Sequence, residues 1–216
     1  MRLALLVDLD GTIVDSIDWH EKVGRETSKT LGIDIQDRAF ESYATFFDYT
    51  ERRPGVFGDS FRDEYNRRAL ELMHLTEVGV YCDAIPFLES FAGHGRALVT
   101  NRPVVQTRSL VNHLGLEGFF DVVECGVPGA FEKPDPRIGM SALRKIGRYD
   151  AVAVVGDAKI DMELAHNLSK IVHVPVEGYL VDRIRYFDGN IPFGHKASGL
   201  DEARTGIERL LQGSKH

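Results

Sequence analysis

Apolar and polar positions divide the chain into two textures. The first is a run of five apolar residues, Leu3-Ala4-Leu5-Leu6-Val7, that passes directly into Asp8-Leu9-Asp10-Gly11-Thr12. An uninterrupted apolar run this short predicts a buried strand of a parallel sheet. From Asp15 to about Tyr81 the spacing becomes helical. Asp15 or Ser16 caps a helix through Trp19, Val23 and Thr27 to Leu31, with Gly32 as its stop. Asp37 to about Tyr49 reads as a second helix. Residues from about Phe57 to Leu75 read as a third, with Phe61, Tyr65, Ala69 and Leu72 on one side. No strand pattern stands out in this segment, and Arg52-Arg53-Pro54-Gly55 is its sharpest break.

The second texture alternates strands with helices. Helices are predicted over Asp83 to Ala92, Val104 to Leu114, Pro136 to Ile146 and Lys159 to Leu168. Strands are predicted over Arg96 to Thr100, Phe120 to Glu124, Ala151 to Val155 and, briefly, Ile171 to Val174. Pro175 to Ser198 reads as irregular and Leu200 to Leu211 as a closing helix. This rhythm predicts βαβ units with right-handed crossovers, in a parallel sheet covered on both faces.

Length and charge narrow the function. The 216 residues suffice for a core domain plus a small extra one, and 43% hydrophobic with 27% charged residues is an ordinary soluble composition. A net charge of −7 argues against a general nucleic-acid binder. It also means that a phosphorylated substrate must be drawn in by local cations. Cys82 and Cys125 have no metal-ligand spacing and form no disulfide framework, which fits a reducing cytoplasm. The first apolar run is too short for a signal peptide or a membrane span, and no later run is long enough to cross a bilayer. No membrane partner is expected.

The candidate chemistry collects at strand ends. Asp8 and Asp10 face the same side of an extended chain, beyond the carboxyl end of a strand, where open α/β sheets bind ligands. Two adjacent buried carboxylates repel, and a bound cation removes that penalty; oxygen ligands suit Mg²⁺. Thr100 and Asp157 each follow an apolar strand, so a parallel sheet brings them to the same edge as Asp8. Lys133 lies in the loop Phe131-Glu132-Lys133-Pro134-Asp135-Pro136, stiffened by two prolines. Each residue alone also has an ordinary reading: a turn at Thr100-Asn101, a solvated lysine at 133, a helix cap at Asp157, an exposed first-turn acid at Asp161.

Taken in order, Asp8-Leu9-Asp10-Gly11-Thr12, Val99-Thr100-Asn101, Glu132-Lys133-Pro134 and Gly156-Asp157-Ala158-Lys159-Ile160-Asp161 resemble the four motifs of the haloacid dehalogenase superfamily. The likeness spans residue 3 to about 175. It implies a Rossmann-like three-layer α/β core with a parallel sheet, plus a small all-helical cap domain. Residues 1–14 and 82–216 would form the core and 15–81 the cap. It implies Asp8 as nucleophile forming an aspartyl-phosphate and Asp10 as general acid and base. Mg²⁺ would be bound by Asp8, the Asp10 backbone carbonyl and Asp157, with Asp161 one helical turn further on as a weaker candidate. Thr100, Asn101 and Lys133 would hold the phosphoryl group. Ala158 departs from a small hydroxyl residue, Leu168-Ser169-Lys170 stands where the family often has a glycine ahead of the next strand, and Glu177 to Lys196 does not follow the family's closing strand.

The place of the insertion, between Asp10 and Thr100, is similar to that of the phosphoglycolate phosphatase and β-phosphoglucomutase group. This implies a cytoplasmic Mg²⁺-dependent phosphatase, monomer or homodimer, acting on a small phosphorylated metabolite. A mutase and a non-catalytic binding protein are the alternatives. Retention of Asp10 argues against a dehalogenase. The cap lysines, Lys22 and Lys29, fit an exposed helix face and not a Schiff base. Arg52 and Arg53 are candidates for gripping a substrate anion, and Trp19 and His20 for lining the cleft between cap and core. No second histidine has a spacing that would make His20 a metal ligand.

Overall fold

The structure, a computed structural model, describes residues 1–40, 49–50, 53, 55–72, 78–127, 130–184, 191 and 193–213. Strand β1, Leu3–Val7, lies at the centre, and none of its side chains reaches solvent. Its alternation builds both halves of the core. Leu3, Leu5 and Val7 point into a cluster with Phe87, Phe91, Leu110, Leu200 and Ile207. Ala4 and Leu6 point the other way, onto Ile138, Leu143, Leu164 and Leu168. A strand apolar at every position is therefore covered on both faces, and the result is three layers.

The other strands are β2 (Val14–Asp15), β3 (Gly79–Val80), β4 (Gly95–Thr100), β5 (Val122–Cys125), β6 (Ala151–Gly156), β7 (Val176–Val181) and β8 (His195–Ala197). Five of them join β1 in one parallel sheet in the order β5-β4-β1-β6-β7-β8. Val7 pairs with Leu98 of β4 and with Val155 of β6, so these three strands end in step. The helices, among the described residues, are α1 (Ile17–Leu31), α2 (Asp59–Leu72), α3 (Ala84–Ser90), α4 (Val104–His113), α5 (Pro136–Ile146), α6 (Lys159–Ser169) and α7 (Leu200–Gly213).

Three sequence expectations are corrected. The short strand expected at Ile171 to Val174 is a loop, with Ile171 and His173 exposed; the strand is β7, which begins after Pro175. Pro175 to Ser198 is therefore not irregular throughout, and a closing strand is present there. Gly178 hid it by breaking the apolar pattern. It is needed because α6 packs so tightly that a Cβ at 178 would meet Met162 Sδ at 2.9 Å and Ala165 Cβ at 3.2 Å. Third, the segment from Asp15 to Tyr81 is not free of strand: Val14 pairs with Val80 and Asp15 with Gly79 in a two-residue antiparallel ribbon where the chain leaves and rejoins the sheet. Only tertiary pairing of the two connections creates this ribbon; neither half carries a strand pattern.

In the helical segment, α1 stops at Gly32, whose φ of 66° is left-handed. Trp19 and Val23 of α1 pack on Ala69 of α2, with Tyr65 and Leu72 at the margin. A second small cluster joins Ile35, Ala39, Tyr49 and Phe61. Within the helix expected at Asp37 to Tyr49, Asp37–Phe40 is a short 3₁₀ turn, and 41–48 lie outside the described residues.

Candidate active site

Because β1, β4 and β6 end in step, Asp8, Thr100 and Asp157 emerge at one edge. Asp8 continues the ladder, donating its N–H to Val155 O at 2.9 Å. Gly11 then turns the chain at φ 74°, and a Cβ there would lie 2.1 Å from Asp157 Oδ2. Only a glycine permits both that backbone and that approach. Gly156 permits the same close approach for Asp161, whose Cγ would be 2.2 Å from a Cβ at 156. Asp161, in the first turn of α6, also accepts the Ala158 N–H at 3.1 Å.

Lys133 reaches into this group. Its Nζ donates to Asp8 Oδ1 at 2.5 Å and to Asp161 Oδ1 at 2.7 Å, and the side chain is 3% exposed. The lysine is buried and doubly paired, not a solvated loop residue. Asn101 holds its backbone: Lys133 N donates to Asn101 Oδ1 at 2.7 Å, and Asn101 Nδ2 donates to Lys133 O at 3.0 Å. Thr100 is buried and its hydroxyl oxygen accepts the Arg102 N–H at 3.1 Å.

Asp8, Asp157 and Asp161 each offer a carboxylate oxygen within 4.8 Å of the others, and all three are buried. One lysine does not balance three acids. Burial, followed by the neighbouring carboxylates, raises Asp157 well above the ordinary carboxylate range. Burial also raises Asp8 to about 7, with Lys133 pulling the other way. Lys133, disfavoured by burial but flanked by Asp161 and Asp8, is held above its usual value. Asp157 Oδ1 is buried and has no hydrogen-bond partner among the described residues. An orphaned oxygen in an excess of buried negative charge fits a hard divalent cation with oxygen ligands.

Asp10 sits in a different environment. Arg102 Nε donates to its Oδ2 at 2.9 Å and Arg102 Nη2 to its Oδ1 at 2.5 Å. Ser16 Oγ donates to Oδ1 at 2.6 Å. Ser16 occupies the N-cap position of α1 but makes no side-chain cap bond there, so the expected cap is instead a bond to Asp10. His20 Nε2 lies 3.6 Å from Asp10 Oδ1, and its Nδ1 contacts the Tyr65 hydroxyl. Burial alone would raise Asp10, but the Arg102 charge and the His20 and Arg102 hydrogen bonds hold it well below the carboxylate range. Burial lowers His20 to about 4 despite Asp10, which keeps its imidazole neutral.

Sequence reasoning missed Arg102 and the bond from Ser16 to Asp10. Arg102 follows Thr100 by two positions, and an arginine that close to a buried strand end needs a partner; that was the available signal. Arg53 is half-buried, with its guanidinium 3.9 Å from the Tyr49 ring centroid and Nη1 donating to Tyr49 O at 3.0 Å. These contacts tie it to its own segment and not to the Asp8 cluster. Arg52 lies outside the described residues. Trp19 and His20 are beside Asp10 and Arg102, as far as the cleft expectation goes.

Comparisons with known proteins give the family. Residues 5–172 match the family of haloacid dehalogenase-like hydrolases. A phosphoglycolate phosphatase of Rhodobacter capsulatus is 28% identical over 194 residues, covering 83% of this chain and 86% of that protein. CbbY of Rhodobacter sphaeroides, solved in complex with phosphate, superposes with a TM-score of 0.71 at 19% identity, covering 94% of this chain and 96% of its own. YfnB of Bacillus subtilis, solved bound to magnesium, gives a TM-score of 0.67 at 15% identity, covering 96% and 100%. With most of its length matched and its acids and lysine gathered at one sheet edge, the chain belongs to the haloacid dehalogenase-like hydrolases.

Proposed function

We propose that this hydrolase is a phosphatase for a small phosphorylated metabolite, similar to the phosphoglycolate phosphatases, with Asp8 as its nucleophile. The observation that carries this reading is the placement of Lys133 Nζ on Asp8 Oδ1, with Asp10 two residues further on and engaged separately. The two acids of the first motif thus sit in different environments: Lys133 faces Asp8, and Arg102 with Ser16 holds Asp10.

In the first half-reaction an Asp8 carboxylate oxygen attacks phosphorus in line, and the bond to the leaving oxygen breaks as Asp10, drawn off Arg102 and carrying a proton taken up from solvent, passes that proton to it. In the second, Asp10 takes a proton from water, the water oxygen attacks phosphorus, and the aspartyl-phosphate bond breaks to release orthophosphate. Lys133 neutralises the phosphoryl oxygens and keeps Asp8 in line. The Thr100 hydroxyl and Asn101 N–H hold the remaining oxygens. Asp8, Asp157 and Asp161, with the Asp10 carbonyl, would hold Mg²⁺, which when bound offsets the negative charge of the phosphoryl group against Asp8. Residues 15–81 act as a cap over the core of 1–14 and 82–216, and closure excludes bulk water. Lys22 and Lys29 are exposed, which agrees with a cap that supplies no buried amine.

The test is hydrolysis of an aryl phosphate with and without Mg²⁺, in the native protein and in Asp8→Asn. The expected result is Mg²⁺-dependent phosphate release that falls on the order of 10³-fold or more in the variant. Turnover that survives Asp8→Asn would overturn the assignment.

A further inference from the structure

Among the described residues, Arg102 is the one buried cation at this sheet edge to which the proposed reaction gives no part. Its side chain is 3% exposed. Two of its N–H groups grip the two oxygens of a single carboxylate, and its guanidinium carbon lies 4.2 Å from the Trp19 ring centroid. A planar fork stacked on an aromatic face and filled by a planar anion is a carboxylate receptor. Its occupant is Asp10, the residue whose carboxyl group must reach the ester oxygen. From the ester oxygen through that carboxylate to the guanidinium is two hydrogen bonds, about 5–7 Å in all. From an ester oxygen across one methylene to a carboxylate, and on by one hydrogen bond, is about 5–6 Å. The two routes are interchangeable in length.

We propose that Arg102 is the specificity-determining residue of this site: it receives the carboxylate of a short hydroxy-acid leaving group in exchange for Asp10, and so frees the Asp10 carboxyl group to take up a proton from solvent and turn to the ester oxygen. The inference deepens the phosphatase reading and rests on it. Local cations must overcome a net charge of −7 to admit a second anion, and Arg53 is turned onto Tyr49. A neutral leaving group offers the fork no substitute, so Asp10 remains on Arg102. Selectivity arises because only the acidic substrate stabilises the released arrangement.

The experiment compares 2-phosphoglycolate with 2-hydroxyethyl phosphate, which replaces the carboxylate by a neutral end of similar length. The quantity read is the ratio of their kcat/KM values on one protein, in which any loss shared by both esters cancels. The native ratio is expected to be about 10² or more, falling to within about threefold of unity in Arg102→Gln through a rise in KM for 2-phosphoglycolate. Arg102→Lys, which keeps the charge but not the fork, is expected to fall between the two. If Arg102→Gln fails to fold in a thermal melt, the Lys variant is read by the same ratio, and an undiminished ratio overturns the proposal. A native ratio near unity, or a ratio unchanged in both variants while both esters slow together, leaves Arg102 as a support for Asp10 only. If the native protein hydrolyses an aryl phosphate but shows that flat ratio, this inference falls and the phosphatase reading stands. If it hydrolyses no ester, both fall.

Discussion

Asn101 and Lys133, which are 32 residues apart, exchange two hydrogen bonds through the Asn101 amide and the Lys133 main chain. This fastens the lysine's loop to the end of β4 and aims Nζ at Asp8 and Asp161. In Asn101→Ala the loop loses both bonds while Lys133 keeps its charge. We expect kcat to fall about 10–100-fold and stability by about 1–3 kcal/mol. Steady-state kinetics beside urea denaturation check this; an unchanged kcat would show that the loop holds itself.

Excess negative charge at the candidate metal site predicts a stability signature. Asp157→Asn removes one of three clustered buried acids. In EDTA the variant should melt a few degrees higher than the native protein, about 2–4 °C, because like-charge repulsion is relieved. Added Mg²⁺ should raise the native melting temperature and leave the variant's nearly unmoved. Differential scanning calorimetry in the two buffers decides it.

Gly11 is predicted to be intolerant of any side chain. Its φ of 74° is strained for an L-residue, and a Cβ would collide with Asp157 Oδ2 at 2.1 Å. Gly11→Ala should cost about 1–3 kcal/mol and displace Asp157 from the cluster, lowering Mg²⁺ affinity as well as stability. A Mg²⁺ titration followed by melting temperature separates the two effects.

A pH dependence follows from Asp83 and Arg183. Arg183 Nη1 and Nη2 donate to the two Asp83 oxygens at 2.9 Å each, and Leu200 N donates to Oδ2 at 2.9 Å. Partial burial raises Asp83, but the Arg183 and Leu200 hydrogen bonds outweigh it and lower its pKa. A lowered folded-state value means stability that is fully present above the unfolded carboxylate value of about 3.9 and lost as pH falls through the folded value. Asp83→Asn should therefore be less stable than the native protein at pH 6–7, with the gap closing as the pH drops below about 4. Urea midpoints from pH 3 to 7 measure this.

The alternation of texture made the sheet legible in advance. Runs such as Leu3–Val7 and Ala151–Val155 are apolar at every position because both faces are covered, and that signature is local. That Asp8, Thr100 and Asp157 reach one sheet edge was legible because strand ends mark themselves in short stretches of chain. Helix ends such as Gly32 were legible for the same reason. β7 was not, because Gly178 answers to Met162 and Ala165 on another element, and nothing next to it in the chain says so. Nor was the ribbon of Val14 and Val80, whose strands exist only by meeting. The partner of Asp10 lies 92 residues away at Arg102, and the partner of Lys133's backbone 32 residues away at Asn101. Burial periodicity, turn chemistry and the order of the acids are properties of neighbours along the chain. Which cation meets which carboxylate is set by how the strand ends and the helical segment come together, and there the chain order carries no distance.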